Sequence, residues 1–375
     1  MTTPPQPRPR APSAPTDALA LSRVFGYSCS ASRNNAKYTE CGAVIYPAGG
    51  TLVRVDLGSG AQSFGTAHAG FEICALAISL DKSIVATSDI GSDPQIALWS
   101  TSNIASGPSR IIRGPHSNAV TLLAFDDDKG ERIASIGADS NHTVAVHDVS
   151  SGYLLFTSPT TKRKPLDLAF GRFGNEMAIV GVKHALFFTF TAGQVATRHA
   201  SASFARVGRH GALQAFLCCA YLSGGNCIVG TADGHLFVFG GSSRELEKSI
   251  KAHDGFIYAM DTPWRRAKAS NTSRGPSLVA LVTGARDGDI RLWNDALEMV
   301  SKFDNHGAGP VRSVFISADL SRVLVGSQAA TQLREFRASD GVPVSAPIAG
   351  GGAAAGELWG LASHPTLQRF AAASD

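Results

Sequence analysis

The sequence has little charge and no pairing pattern among its cysteines. Of its 375 residues only 17% are Asp, Glu, Lys or Arg, whereas 44% are hydrophobic, which is a globular composition that is poor in charge. The six cysteines form no CxxC pair, and Cys218 and Cys219 lie within an apolar run, so the ligand spacing of a zinc site is absent. A disulfide framework is typical of short secreted chains, so we expect reduced thiols that are mostly buried.

Long apolar stretches are also absent. No run reaches the ~18 apolar residues that identify a membrane-spanning helix, and residues 1–16 are proline-rich and polar, without the apolar core of a signal peptide. No helical period of apolar residues is sustained along the chain. The sequence therefore predicts a cytoplasmic protein without a membrane partner, with a disordered tail over residues 1–16 and an all-β fold.

The most informative segment that is present is Lys251–Asn294. It holds two alternating apolar runs separated by the turn sequence RDGD, and it opens with His253 and closes with Trp293. In one blade of a WD-repeat propeller, a histidine, a strand hydroxyl, a turn aspartate and a tryptophan share hydrogen bonds. We therefore predict a structural tetrad of His253, Thr283, Asp287 and Trp293.

Similar units of short strands occur on both sides of this segment. They begin at His68, His116, Leu166, Phe216 and His306, and a further unit begins at Glu357 and stops with the chain at Asp375. Because one blade cannot bury its faces alone, the units imply a ring. The sequence predicts a WD-repeat β-propeller of about seven blades over residues 68–375, the last blade truncated. Residues 21–67 contain more strand-like runs, which we expect to pack on the propeller and to pair with strands at the chain end.

The order of the motifs is more specific than the repeats themselves. The first motif contains Val24, Gly26-Tyr27, Arg33-Asn34-Asn35 and Ile45-Tyr46, and it is followed by IGADSNHTVAVHDV (136–149), GVKHALFFTF (181–190), IKAHDG (250–255) and ELWGLASHP (357–365). Over roughly residues 20–375 this order resembles the pre-propeller motif and successive blades of the echinoderm microtubule-associated-protein-like (EMAP-like) family. The resemblance implies tandem propellers, the second absent from this chain, and binding to tubulin or microtubules. The coiled coil and long basic region of many members are not found here.

No catalytic, metal or cofactor constellation is found in the sequence. The recurring histidines at blade starts have a structural explanation in the WD pattern. The run Asp126-Asp127-Asp128 lacks the interleaved ligands of a calcium loop, and Gly350-Gly351-Gly352 is not followed by the lysine of a phosphate-binding loop. We therefore predict a non-enzymatic protein that carries no cofactor.

Positive charge is concentrated in a few segments. The formal net charge is +4, and six positive charges lie in the N-terminal tail and in a polar insertion between Trp264 and Pro276, so the rest of the chain is close to neutral. The candidate partner-binding residues are Arg265, Arg266, Lys268 and Arg274 in this insertion, with a second cluster at Lys162, Arg163 and Lys164. Clustered cations suit an acidic polymer surface, and no aromatic stacking platform for nucleic acid accompanies them. A solvated insertion without a partner is the alternative interpretation.

Two functions remain open at this point. The first is a microtubule-binding or tubulin-binding scaffold on the cytoskeleton, as the EMAP-like resemblance implies. The second is a general WD-repeat platform that binds other proteins through its propeller faces, in a cilium or flagellum, because ciliary WD-repeat proteins with a related pre-propeller motif are the next match.

Overall fold

A computed structural model shows a chain built from short antiparallel strands. The structure describes residues 21–30, 32–68, 70–126, 130–171, 174–191, 194–199, 213–241, 243–263, 279–350, 358–363 and 370–374. These residues contain 29 strands, one short 3-10 helix (η1, Ile104–Ser106) and no α-helix. No helix in this part of the chain is long and apolar enough to cross a membrane.

Six sheets of four antiparallel strands and one of three strands form the blades. Blades 1 to 3 are β1 (Lys37–Tyr38), β2 (Val44–Ala48), β3 (Thr51–Val55) and β4 (Gln62–Gly65); β5 (Ile73–Ile78), β6 (Ile84–Asp89), β7 (Gln95–Ser100) and β8 (Arg110–Arg113); and β9 (Val120–Phe125), β10 (Arg132–Gly137), β11 (Val144–Asp148) and β12 (Leu154–Ser158). Blades 4 and 5 are β13 (Pro165–Phe170), β14 (Glu176–Gly181), β15 (His184–Thr191) and β16 (Gln194–His199); and β17 (Phe216–Tyr221), β18 (Cys227–Thr231), β19 (His235–Phe239) and β20 (Leu246–Lys251). Blades 6 and 7 are β21 (Ile257–Asp261), β22 (Leu281–Ala285), β23 (Asp289–Trp293) and β24 (Met299–Asp304); and β25 (Val311–Ile316), β26 (Arg322–Ser327) and β27 (Gln332–Arg337). A separate hairpin pairs β28 (Leu358–Ser363) with β29 (Phe370–Ser374).

The first strand of each blade lies innermost, around a central channel. In blades 2 to 6, the first strand of each blade contacts the first strand of the blade that follows it. We call the face at which the inner strands begin the upper face, and the opposite one the lower face. The second strand of each blade returns to the upper face, so the loops that precede the first strand and follow the second strand meet there.

The ring closes between blade 7 and the segment that leads into blade 1. At the upper ends of the second strands, a Cβ added to Gly230 would lie 2.9 Å from Ile257 of the next blade, and one added to Gly284 would lie 2.3 Å from Val311. A Cβ on Gly326 of blade 7 would lie 2.4 Å from the Tyr27 hydroxyl. Tyr27 thus occupies, at the ring closure, the position that an aliphatic side chain holds between blades 5 and 6 and between blades 6 and 7.

Polar bonds complete the same junction. The backbone N–H of Asn34 donates to the Arg312 carbonyl oxygen (3.0 Å), and the Tyr38 hydroxyl donates to the buried Glu335 carboxylate (2.7 Å). One apolar cluster contains residues of both blades 1 and 7, including Val44 and Phe315. Blade 7 therefore joins blade 1 by packing and by polar contacts rather than by sharing a strand.

The prediction of an all-β, seven-bladed propeller is confirmed, whereas the structure differs in how the ring closes. Residues 21–67, expected to pair with strands at the chain end, instead contain a blade of their own, and β1–β4 pair only with one another. The unit predicted to open the seventh blade at Glu357 forms the separate hairpin of β28 and β29, and Glu357 itself lies outside the described residues, as do residues 1–16. The strand-like runs of this region were not identified as a complete blade, because the inner strand β1 has only two residues.

Candidate functional site

The four residues of the predicted tetrad lie at the upper end of blade 6 in one hydrogen-bonded chain. The Trp293 indole N–H donates to Thr283 Oγ1 (2.9 Å), and His253 Nε2 lies 2.8 Å from the same oxygen. His253 Nδ1 lies 3.1 Å from Asp287 Oδ2, and Asp287 also accepts the Asp254 amide (3.0 Å). The chain joins the loop before β21 to the loop between β22 and β23.

A single proton arrangement satisfies every member of this network. With a neutral His253, the ring donates from Nδ1 to Asp287 and accepts the Thr283 hydroxyl at Nε2. Burial lowers the pKa of His253 and thereby favours this neutral form, against the opposing effect of Asp287. For Asp287 itself, burial opposes ionisation, but the hydrogen bond and charge interaction with His253, together with the Asp254 and Asp289 amides, outweigh it, and the pKa falls to about 2. The network therefore holds a neutral imidazole beside a carboxylate at neutral pH.

Blade 2 carries a second complete network that the sequence pattern revealed only at its two ends. His68 lies 2.7 Å from both Asp89 and Thr87, and the Trp99 indole donates to Thr87 (2.8 Å). The histidine and tryptophan were visible as the ends of a predicted unit. Asp89 was not recognised because it ends β6 instead of lying in a short turn of the RDGD kind, and five residues separate it from β7.

Blade 3 retains only part of this arrangement. His116 Nε2 lies 2.8 Å from the Ser135 hydroxyl, but His147 replaces the tryptophan. Burial lowers the pKa of His116 to about 4, with a weaker opposing effect of Asp139. His116 is therefore neutral at neutral pH, and its pairing with Ser135 is weaker support for the loop than the four-member network of blade 6.

One group of potential metal ligands overlaps the tetrad. His253, Asp287 and Asp289 bring one ligand atom each to within 4.8 Å of one another. Both ring nitrogens of His253 already belong to the network, however, and Asp289 forms ion pairs with Arg291 and Lys302, both at 2.8 Å. These bonds identify the group as a structural network rather than as a metal centre.

The segment before blade 1 crosses the upper mouth of the channel, and we call residues 28–30 and 32–36 the crossing segment. Arg33 Nη2 donates to the Leu166 carbonyl oxygen of β13 (2.6 Å), and Asn34 Nδ2 donates to the Met260 carbonyl oxygen of β21 (2.7 Å). Both contacts reach inner strands other than that of blade 1. The crossing segment therefore ties blade 4 and blade 6 to the ring closure and lines a channel cavity of about 540 Å³.

Asn35 fixes the shape of the crossing segment itself. Its Nδ2 donates to the Ser28 carbonyl oxygen and to Ser32 Oγ, both at 2.6 Å, while the Tyr27 hydroxyl donates to its Oδ1 at 2.6 Å. The residues Tyr27 and Arg33-Asn34-Asn35, which carry the family resemblance, thus make the contacts that hold this segment in place.

The predicted basic clusters are attached to opposite faces of the ring. Lys162, Arg163 and Lys164 are exposed and precede β13 on the upper face. The insertion with Arg265, Arg266, Lys268 and Arg274 lies outside the described residues, but it connects the end of β21 to the start of β22, which is a lower-face connection.

Comparison with known proteins agrees with this architecture. A family model described as "WD domain, G-beta repeat" matches residues 244–294, the segment that contains the blade 6 tetrad. Echinoderm microtubule-associated protein-like 2 from Rattus norvegicus is 23% identical over 376 residues, covering 95% of this chain and 53% of the relative. The 77 kDa echinoderm microtubule-associated protein from Strongylocentrotus purpuratus is also 23% identical, covering 95% of this chain and 50% of the relative.

The resemblance of this chain to EMAP-like WD-repeat proteins is therefore confirmed. The chain spans about half the length of these relatives. It is also similar to Cilia- and flagella-associated protein 251 from Chlamydomonas reinhardtii, at 26% identity over 86% of this chain and 42% of the relative. A chain from the solved structure titled "Crystal Structure of Mitotic Checkpoint Complex" superposes with a TM-score of 0.67 at 12% identity, covering 90% of this chain and 99% of that one, which supports the fold alone.

Proposed function

We propose that this EMAP-like chain is a non-enzymatic scaffold of the cytoplasmic cytoskeleton that binds tubulin or microtubules. The observation that carries the proposal is the similarity to microtubule-associated relatives over 95% of the chain, together with a crossing segment built from the residues that define the resemblance. Nucleic acid and membranes have no part in the proposed function.

The use of acidic side chains in the channel supports a scaffold role. Asp167 Oδ2 on β13 accepts the Cys219 amide of blade 5 (2.8 Å), and Asp261 Oδ2 on β21 accepts the Ile316 amide of blade 7 (2.8 Å). Each carboxylate thus joins its own blade to the next one. A carboxylate that binds a neighbouring backbone amide is occupied in holding the ring, which fits a structural role better than acid–base chemistry.

The candidate contacts for tubulin are the two basic clusters, Arg265, Arg266, Lys268 and Arg274 on one side and Lys162, Arg163 and Lys164 on the other. Lys162, Arg163 and Lys164 lie on the upper face, whereas the insertion joins the ring at its lower face. The proposal therefore divides into a lower-face and an upper-face version, which separate variants distinguish.

The test is co-sedimentation with stabilised microtubules across a salt series. We compare the wild-type protein, a variant with alanine at the four insertion positions, and a variant with alanine at Lys162, Arg163 and Lys164. Exposed charge contacts weaken as salt rises, since the Debye length is ~8 Å at physiological ionic strength. The cluster that contacts the lattice is the one whose removal reduces pelleting at low salt. If the wild-type protein does not pellet at any salt concentration, the microtubule proposal is wrong.

The second candidate function is a protein-binding platform in a cilium or flagellum. The similarity to Cilia- and flagella-associated protein 251 favours it. A fluorescent fusion expressed in ciliated cells tests this version. Ciliary enrichment combined with absent microtubule pelleting would support the platform, whereas a diffuse or cytoplasmic-microtubule distribution would reject it.

A further inference from the structure

Three parts of the chain meet at the upper end of blade 4. The Val182 amide donates to the Lys164 carbonyl oxygen (3.0 Å), which joins the loop after β14 to the loop before β13. Arg163 Nη1 donates to the Lys183 carbonyl oxygen (2.8 Å) between the same loops. Arg33 reaches this end of the blade from the crossing segment through its bond to Leu166, two residues after Lys164.

These contacts collect five cations that the sequence scatters over 150 residues. We call them the blade 4 cations: Arg33, Lys162, Arg163, Lys164 and Lys183. All but Arg33, which is half-buried, are exposed. None of them takes part in the ion pairs found within the described ranges, whereas on the same face His253 pairs with Asp287 and Arg113 pairs with Asp93.

Two acidic side chains near these cations already have hydrogen-bond partners. Asp167 is buried and accepts the amides of Cys219 (2.8 Å) and Leu168 (2.9 Å). Burial raises its pKa, and the nearby Arg33 charge acts in the opposite direction. In the next blade, Asp233 accepts the Thr231 hydroxyl (2.6 Å) and lies 3.0 Å from His235. The blade 4 cations therefore form a patch of five positive charges, none of which is in an ion pair with a described carboxylate.

The patch lies at the edge of the channel cavity and has an apolar rim. Arg33 and Lys164 both line the cavity of about 540 Å³. Val182 and Leu213 are 38% and 40% exposed, and the Lys183 amide donates to the Gln214 carbonyl oxygen (3.0 Å), which places the Leu213 segment beside the patch. Cations, an apolar rim and a cavity large enough to admit acidic side chains occur together at this point.

We propose that the blade 4 cations bind an acidic peptide segment of a partner protein, with one or more of its carboxylate side chains entering the upper mouth of the channel. Arg33 is a suitable receptor because its bond to Leu166 fixes the side chain while a guanidinium carries five N–H donors. This inference goes beyond the proposed function, since it concerns an acidic segment of any protein and does not require tubulin.

The shape of the patch favours a peptide over nucleic acid. The cations form a compact group around one cavity edge, whereas a nucleic acid backbone needs an extended basic groove with aromatic stacking residues along it. The exposed side chains beside the cations are the aliphatic Val182 and Leu213, and the exposed aromatic Phe256 lines the same cavity from blade 6. Nucleic acid is therefore an outcome that the experiment must be able to detect.

The experiment measures binding of a fluorescently labelled octaglutamate peptide to the full chain at low ionic strength, with octaglutamine as the uncharged control. The variant is Lys164→Glu. Its matched control is Lys248→Glu, an exposed lysine on the outer strand β20 that undergoes the same change of charge. A Lys164→Arg variant keeps the charge, and thermal melts of all variants check the fold.

We expect Lys164→Glu to raise the dissociation constant of octaglutamate at least about tenfold, because it reverses a charge within the patch. Lys248→Glu and Lys164→Arg should stay within about twofold of the wild type. Absence of octaglutamate binding, equal binding of octaglutamine, or equal loss in both glutamate variants would overturn the proposal.

Two further measurements separate the other outcomes. If single-stranded DNA of equal length binds more tightly than octaglutamate and loses binding in Lys164→Glu, the patch is a nucleic acid site and the peptide proposal is wrong. Microtubule co-sedimentation of Lys164→Glu is scored independently. Loss of peptide binding with unchanged pelleting supports the peptide site and assigns the lattice contact to another surface.

Discussion

Blades 6 and 4 are sheets with the same strand order, but different kinds of side chain stabilise them. In blade 6, Thr283 pairs across the sheet with Arg291, and Leu281 pairs with Trp293. At the corresponding positions of blade 4, Ile179 pairs with Leu186, and Met177 pairs with Phe188. The hydroxyl and indole of the tetrad are thus replaced by Ile179 and Phe188, which belong to one buried apolar cluster.

The difference determines what the upper loops of each blade can do. In blade 6 the polar side chains of these loops are used internally, because His253 and Asp287 bond to each other and to neighbouring groups. In blade 4 an apolar interior holds the sheet, and the upper loops carry Lys164 and Lys183, which are two of the blade 4 cations. One blade therefore uses its polar groups for stability, and the other leaves them for a partner.

The largest effect is expected from removing the blade 6 indole. Trp293 is 4% exposed, and Trp293→Ala should destabilise the fold by about 3–5 kcal/mol through the lost packing alone. The free energy of unfolding from urea titrations measures this, with the exposed Lys248→Ala as a control. A change within ~0.5 kcal/mol, as at an ordinary surface position, would show that the network does not support the blade.

Acidification provides the second effect. Burial lowers the pKa of His116 to about 4, against an ordinary value of 6.5. The unfolded chain therefore binds more protons than the folded one between these values, and stability falls as the pH falls from about 6.5 to 4, by at most ~3 kcal/mol from this residue. Burial also lowers the pKa of His253, which adds in the same direction.

The measurement is the free energy of unfolding at a series of pH values for the wild type and His116→Gln. The variant should show a shallower slope below pH 6.5, whatever its stability at neutral pH. Equal slopes would mean that His116 is as easily protonated in the folded chain as in the unfolded chain.

A pair of reciprocal substitutions tests directly whether the two blades depend on different side chains for their stability. Thr283→Val leaves the Trp293 indole and His253 Nε2 without their shared partner, and Ile179→Thr places a hydroxyl in the apolar interior of blade 4. Each should cost about 1–3 kcal/mol, the usual penalty for an unsatisfied buried polar group. Chemical denaturation of both variants and of the double variant checks this. A neutral Thr283→Val would show that the hydrogen bonds contribute no net stability.

The smallest effect on stability is expected at the blade 4 cations. Lys164→Glu alters an exposed side chain that makes no ion pair with a described residue, so the free energy of unfolding should change by less than ~0.5 kcal/mol. Asp287→Ala in blade 6 serves as the contrast, because it removes a hydrogen-bonded carboxylate from a loop. If Lys164→Glu destabilises the fold as much as Asp287→Ala, the cations hold the blade and are not reserved for a partner.

The sequence predicted local features of this fold better than long-range ones. His253, Thr283, Asp287 and Trp293 lie close together along the chain with a regular spacing, so the pattern was sufficient to group them. The outer strands of the blades, such as β12 and β24, were not predicted, because their exposed positions break the apolar alternation that marks a strand.

The blade 4 cations show why long-range features of the fold could not be predicted from the sequence. Lys164 was identified as part of a short basic run, but its closeness to Arg33 depends on the crossing segment reaching Leu166, which lies 133 residues after Arg33 in the sequence. Lys183 is a single lysine in a tight turn. Hydrogen bonds within blade 4 bring Lys164 and Lys183 together, and the crossing segment adds Arg33 from the ring closure, where blade 7 packs against Tyr27.

The most direct test of the difference between the two blades is hydrogen–deuterium exchange of the full chain with and without octaglutamate. We expect slower amide exchange on octaglutamate addition in peptides that cover residues 161–164 and 181–184, at the upper end of blade 4. Peptides that cover residues 253–256 and 286–289 of blade 6 should exchange at the same rate in both states. Protection of the blade 6 loops, with blade 4 unchanged, would contradict the assignment of the acidic-peptide site to blade 4.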